Sequence, residues 1–72
     1  MKSNITRATE LKILKSNITE QRRLKGLKVK DVCKRMGKTR YYFSQLRNPS
    51  IRTIVDIAHS IGCEPSVLLK GL

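Results

Sequence analysis

Side chains able to perform acid–base, nucleophilic or metal chemistry are few in this sequence and widely separated. It contains one histidine, His59, two cysteines, Cys33 and Cys63, and five acidic residues. A structural metal site needs more ligands than His59 and the two cysteines provide, and no Gly-rich phosphate-binding loop occurs. We therefore predict that the chain is not an enzyme and that it has no cofactor, metal or small-molecule ligand. The cysteines are expected to be small buried side chains.

The positive charge of the sequence has a clearer chemical meaning. Sixteen Lys and Arg residues against five Asp and Glu give a net charge of +11. Fifteen of the basic residues lie in residues 1–52, which carry +12, whereas residues 53–72 carry −1. This asymmetry predicts that the front of the chain faces a polyanion such as double-stranded DNA. A cationic surface that serves only solubility is the alternative.

Residues 29–46 contain the pattern around which the chain is organised. An apolar stripe at i, i+3, i+4 and i+7 predicts a short helix and comprises Val29, Val32, Cys33 and Met36. Gly37 follows where helices commonly end in a left-handed residue, and Thr39 is placed to cap a second helix over residues 39–46. The inward side of that helix comprises Phe43 and Leu46, and its outward side Arg40, Tyr41 and Ser44. Two short helices joined by a tight turn predict a helix-turn-helix.

Periodicity before this unit predicts a longer helix from about residue 7 to residue 25, ended by Gly26. Asn17 with Glu20 three residues later also fits a capping box, so a start at Asn17 is the alternative.

Two further helices are predicted after the unit. Ser50 is placed to cap a helix that ends at Gly62, and Pro65 opens a short apolar helix that reaches Leu72. No alternation typical of strands occurs. The predicted fold is therefore all-α, a compact bundle of about five short helices in one domain over residues 1–72. No membrane span and no signal peptide is expected, which favours a soluble cytoplasmic protein.

Residues 27–46, followed by IAHSIGCEPSVLLKG at 57–71, resemble the Xre-like helix-turn-helix domains of phage repressors and Cro proteins. The resemblance starts at about residue 17 and leaves residues 1–12 as an N-terminal extension. In that family a small residue of the first helix packs against the second, and Cys33 stands there, while Gly37 matches the turn glycine. The resemblance implies a lambda-repressor-like DNA-binding domain in the cytoplasm of a bacterial host.

The resemblance also implies which side chains contact DNA. The expected base contacts come from Arg40, Tyr41 and Ser44. The expected phosphate contacts come from Lys28, Lys30, Lys38, Thr39, Tyr42, Gln45 and Arg47. Arginine suits base reading because it can bond guanine O6 and N7 together. Packing against the neighbouring helix is the alternative role for Tyr42.

Two positions depart from the family pattern. Val29 stands where members often carry Gln, and Pro49 follows Leu46 by three residues where the family usually has a Gly-containing loop. Both differences remove expected DNA contacts.

The function that this resemblance implies is DNA-binding transcriptional regulation, as the lytic-side component of a temperate-phage genetic switch. A protein-interaction modulator that binds a homologous immunity repressor, as phage modulators of repression do, is the main alternative. An antitoxin is a third possibility, although no toxin-wrapping segment is visible.

An association surface is predicted at the neutral end of the chain, for a homodimer or a complex with a repressor. Its expected members are Ile51, Val55, His59, Leu69 and Leu72. The first three recur at i, i+4 and i+8, offset from the apolar face that should enter the core, and exposed apolar patches commonly mark interfaces. The alternative is that these side chains close the core of a small bundle.

Overall fold

The computed structural model of the chain describes residues 8–72, and four helices account for most of them. They are α1 (Ala8–Leu24), α2 (Val29–Met36), α3 (Ile51–Ile61) and α4 (Pro65–Leu68). No β-strand occurs within residues 8–72. The radius of gyration, 11.2 Å, matches the value of about 11 Å expected for a compact chain of this length. The compact all-α fold is confirmed, with four helices instead of five. Residues 1–7, which make up most of the extension predicted over residues 1–12, lie outside the described residues.

The prediction of an α-helix over residues 39–46 is wrong. Residues 40–45, which we call the turn segment, form consecutive turns. Their backbone hydrogen bonds join residues at unequal separations in the sequence. Tyr42 N–H donates to the Thr39 carbonyl, Gln45 N–H to the Tyr41 carbonyl and Leu46 N–H to the Phe43 carbonyl, at 3.0, 3.0 and 3.2 Å. Two of the three bonds span three residues and one spans four, so no regular α-helical ladder is established.

The residue types of the turn segment explain why no α-helix forms. Residues 41–43 are three consecutive aromatic residues, which have low helix propensity. The hydroxyl of Ser44 donates to the carbonyl of Tyr41 at 2.8 Å and so competes for a helical acceptor. Pro49 then prevents the segment from extending in the C-terminal direction.

α1 is one continuous helix, so the alternative start at Asn17 is wrong. The side-chain amide of Asn17 donates instead to the carbonyls of Leu68 and Lys70, at 2.9 and 2.7 Å. The carbonyl of Leu68, at the end of α4, lacks an intrahelical partner, and the first bond supplies one. The second bond reaches the carbonyl of Lys70, two residues beyond the helix. The last helix ends at Leu68, earlier than predicted, and Asn17 fixes the chain that follows it against α1.

Local capping defines the ends of α2 and α3. Gly37 takes φ 71° and ψ 29° after α2, a left-handed conformation that costs an L-residue with a side chain about 1–2 kcal/mol. The amide of Lys38 then reaches back to the Cys33 carbonyl at 2.9 Å. At α3, the Ser50 hydroxyl accepts from the Thr53 amide at 3.2 Å, and Gly62 ends the helix at φ 91°.

Every described helix contributes to one hydrophobic core. α2 packs on α3, and α1 and α3 both pack on α4. The buried core comprises Leu14, Ile18, Val32, Cys33, Leu46, Ile54, Ile57, Ala58, Ile61 and Leu68. Within residues 8–72, no buried side-chain nitrogen or oxygen lacks a hydrogen-bond partner. The core therefore places the turn segment at a defined position beside α1 and α2.

None of the helices within residues 8–72 combines the length and apolar character needed to cross a lipid bilayer.

Candidate nucleic-acid interface

The turn segment has an inward side and an outward side, although it is not an α-helix. Phe43 packs half-buried against the core, and Leu46, which follows the segment, is 8% exposed. Arg40, Tyr41 and Ser44 are all exposed. The three side chains expected to contact bases therefore lie together on a surface that is fixed from beneath.

Arg40 and Tyr41 form a stacked pair on this surface. The Arg40 guanidinium lies over the Tyr41 ring, 4.8 Å from its centroid, and its Nη2 donates to the Tyr41 hydroxyl at 2.6 Å. Stacking limits the freedom of both side chains. A guanidinium has five N–H donors, so most of the Arg40 donors are available to a ligand.

The positions expected to contact phosphate lie at the start of α2 and within or beside the turn segment, and all but one are exposed. The exposed ones are Lys28, Lys30, Lys38, Thr39, Gln45 and Arg47. Arg47 also donates to the carbonyl of Ser44 at 3.0 Å, which holds its guanidinium beside the segment. Lys28 precedes α2, where its amide donates to the Asp31 carboxylate at 2.9 Å. A cationic surface thus extends from the start of α2 past the turn segment.

Tyr42 is the exception, because it is half-buried. Its ring packs edge-on against Phe43, with centroids 5.4 Å apart, and the Lys38 ammonium lies 5.8 Å from the ring centroid. Burial raises the pKa of the Tyr42 phenol, and the nearby Asp56 carboxylate raises that pKa further. Since Asp56 would repel a phosphate, this environment favours packing as the role of Tyr42.

The residues predicted to form an association surface do not share one level of exposure. Ile51 and Leu72 are 46% and 42% exposed, and His59 is also exposed. Val55 is half-buried, and Leu69 packs against the core. Leu69 therefore belongs at least in part to the monomer, whereas the stripe on α3 presents two exposed side chains and one half-buried one.

Both cysteines are free thiols. Cys33 is 1% exposed, and burial raises the pKa of its thiol. Burial also raises the pKa of the half-buried Cys63, although the neighbouring Lys25 acts in the opposite direction. A raised pKa keeps a thiol protonated and poorly nucleophilic, so neither side chain is prepared for covalent chemistry.

The structure also brings α1 to the turn segment, which the sequence alone did not indicate. Lys15, Thr19 and Arg22 line a cavity together with Val29, Phe43 and Ser44. Their i, i+4 and i+7 spacing on α1 is a signal that they share one face. No sequence feature of α1 itself indicates that this face meets residues of α2 and the turn segment.

Comparison of the chain with protein-family models, curated proteins and solved structures gives no match.

Proposed function

We propose that this protein is a DNA-binding transcriptional regulator similar to the Xre-like helix-turn-helix type, with the turn segment in place of the second helix of that unit, and that it binds operator DNA through the turn segment and the cationic surface around it. The observation that carries the proposal is the stacked Arg40–Tyr41 pair. It stands exposed on a segment that the core holds from beneath, with basic residues on both sides of it in the chain.

The chemistry of the surface fits duplex DNA in two ways. Lysine and arginine side chains neutralise phosphates and fix the position of the protein on the duplex. Arg40, with most of its donors available, can form a bidentate contact with guanine in the major groove. Because residues 40–45 form turns and no full helix, few side chains would reach base edges at once. Sequence reading would therefore depend heavily on Arg40.

The proposed role is the lytic side of a temperate-phage switch. A small protein bound at an operator would act there by excluding polymerase or a competing repressor.

The substitution Arg40→Ala tests base reading. A duplex would first be selected from a random pool with the wild-type protein, and affinities for it and for a scrambled duplex compared by gel-shift titration. Arg40→Ala should reduce the discrimination between the two by about 1–3 kcal/mol. Lys28→Ala is the matched control, because loss of a phosphate contact should weaken both complexes alike. Selection of no preferred duplex, or equal behaviour of the two variants, would refute the proposed reading.

Modulation of a second protein is a further candidate function, favoured by the exposed apolar side chains of Ile51 and Leu72. Both lie near or within the part of the chain that carries little net charge. On this proposal the α3 stripe associates with a second copy or with a homologous immunity repressor.

The substitution Val55→Lys tests this association surface. Val55 is half-buried, so a lysine there can extend its ammonium into water and leave the fold intact. We expect a folded protein that no longer associates, measured by light scattering alone and with an immunity repressor. Ser66→Lys adds the same charge at an exposed position of α4 and should keep the association. If both variants associate as the wild type does, the α3 stripe is not an interface.

A further inference from the structure

A cavity of about 250 Å³ lies between α1, the start of α2 and the turn segment. Its apolar lining comprises Ile18, Val29 and Phe43, and its polar lining Lys15, Thr19, Arg22 and Ser44. Ile18 is 4% exposed, Phe43 is half-buried and Val29 is 38% exposed. The cavity thus opens to solvent over an apolar lining to which three separate parts of the chain contribute.

The polar part of the lining is cationic. None of the described carboxylates lines the cavity, whereas Lys15 and Arg22 both do. Arg22 is held in place, because its Nη1 donates to the Leu27 carbonyl at 2.9 Å. An anchored guanidinium loses little freedom when it binds a carboxylate, and its remaining donors can do so in a bidentate manner.

The size and lining of the cavity limit its occupant. Pockets for small molecules commonly enclose about 300–1,000 Å³, so this cavity is smaller than most and suits one large side chain. Its apolar lining gains from burying a hydrocarbon group, while its cations favour negative charge directly beside that group. A DNA backbone supplies the charge but no comparable apolar side chain.

We propose that this cavity is a docking site for an acidic protein segment, which inserts one Leu, Met or Phe side chain against Ile18 and Phe43. Carboxylates one helical turn before and after that side chain would contact Lys15 and Arg22. Separations of three residues before and four residues after the central side chain place all three groups on one face of a helix. Docking of this segment does not depend on DNA binding.

Docking has a consequence for regulation, and this consequence does rest on the proposed function. Phe43 and Ser44 belong to both the cavity and the turn segment. A partner seated in the cavity would stand beside Arg40 and obstruct duplex DNA. The protein partner and DNA would therefore compete.

Direct binding of labelled peptides tests the docking site without DNA. Each probe is a capped peptide of about 15 residues, roughly four helical turns, with a central Leu, Met or Phe and Glu three residues before and four residues after it. Matched peptides replace the central residue by Ser or both Glu by Gln. We expect at least one apolar probe to bind about tenfold more tightly than both of its matched peptides, as measured by fluorescence anisotropy at about 0.15 M ionic strength. If no probe exceeds its Ser counterpart, the proposal is wrong.

Protein variants locate the binding to the cavity. Lys15→Glu should weaken the best probe about tenfold or more, whereas Lys12→Glu, an equal charge change on α1 outside this cavity, should change affinity less than threefold. Val29→Trp should fill the opening and abolish binding, with folding verified by circular dichroism. Equal losses for both charge variants, or no loss for Val29→Trp, would show non-specific attraction and overturn the proposal.

Methyl NMR spectra distinguish the occupant. The probe should shift the resonances of Ile18 and Val29, and a duplex should leave the Ile18 methyls unshifted. A duplex that moves them as the peptide does would assign the cavity to DNA and overturn the proposal. Displacement of a selected duplex by the probe then tests the competition alone. A probe that binds the cavity of a protein without DNA affinity would refute the proposed function and leave the docking site standing.

Discussion

The substitution Leu14→Ala is expected to lower the free energy of unfolding by about 2–5 kcal/mol, the range for removing a large buried aliphatic side chain. Leu14 is fully buried on α1, and this helix packs on α3 and α4. A chain of this length has a total stability of only about 4–11 kcal/mol. The variant should therefore be largely unfolded well below the melting temperature of the wild type.

Leu24→Ala is the matched control, because it makes the same chemical change on the same helix. Leu24 is 70% exposed, and surface substitutions usually change stability by less than about 0.5 kcal/mol. Urea denaturation followed by circular dichroism measures both variants. Similar losses for the two would contradict the packing of α1 against the rest of the fold.

The parts of the fold that depend on local signals are predictable from the sequence. The apolar stripe beginning at Val29 and the glycine at position 37 give the bounds of α2, and Ser50 and Gly62 mark the ends of α3. A cap and a periodic apolar face act within a few residues, so the sequence contains the information needed to recognise them.

The parts that depend on competing or distant interactions are not predictable in this way. In the turn segment, an apolar spacing typical of a helix is opposed by the low helix propensity of three aromatic residues and by the bond from Ser44 to Tyr41. Asn17 resembles a cap in sequence, yet its partners are Leu68 and Lys70, far away along the chain. Such long-range hydrogen bonds have no local signature.

The candidate site likewise has features that can be predicted from the sequence and features that cannot. The outward positions of Arg40, Tyr41 and Ser44 follow from the spacing of the apolar residues beside them, and the structure places all three at the surface. The stacking of Arg40 on Tyr41 and the contribution of α1 to the neighbouring cavity depend on side-chain packing. They become visible only in three dimensions.

If DNA is the partner, its affinity should fall steeply as salt concentration rises. Four exposed cations are proposed to contact phosphates: Lys28, Lys30, Lys38 and Arg47. Each neutralised phosphate contributes about −0.9 to the slope of log affinity against log salt concentration. Four such contacts predict a slope of about −3.6 and a loss of roughly 150-fold between about 50 and 200 mM salt. Fluorescence anisotropy with a labelled duplex measures this slope.

Lys30→Ala and Lys70→Ala then test which cations are responsible for the slope. Lys30 lies in the first turn of α2, where the helix dipole disfavours a cation, so its removal should not destabilise the fold. Lys30→Ala should make the slope shallower by roughly one unit. Lys70 is also exposed but lies within residues 53–72, which carry a net charge of −1. Its replacement by alanine should leave the slope unchanged if the basic half of the chain faces DNA. A wild-type slope shallower than about −1, or an equal change in both variants, would instead indicate that the positive charge acts without a defined interface.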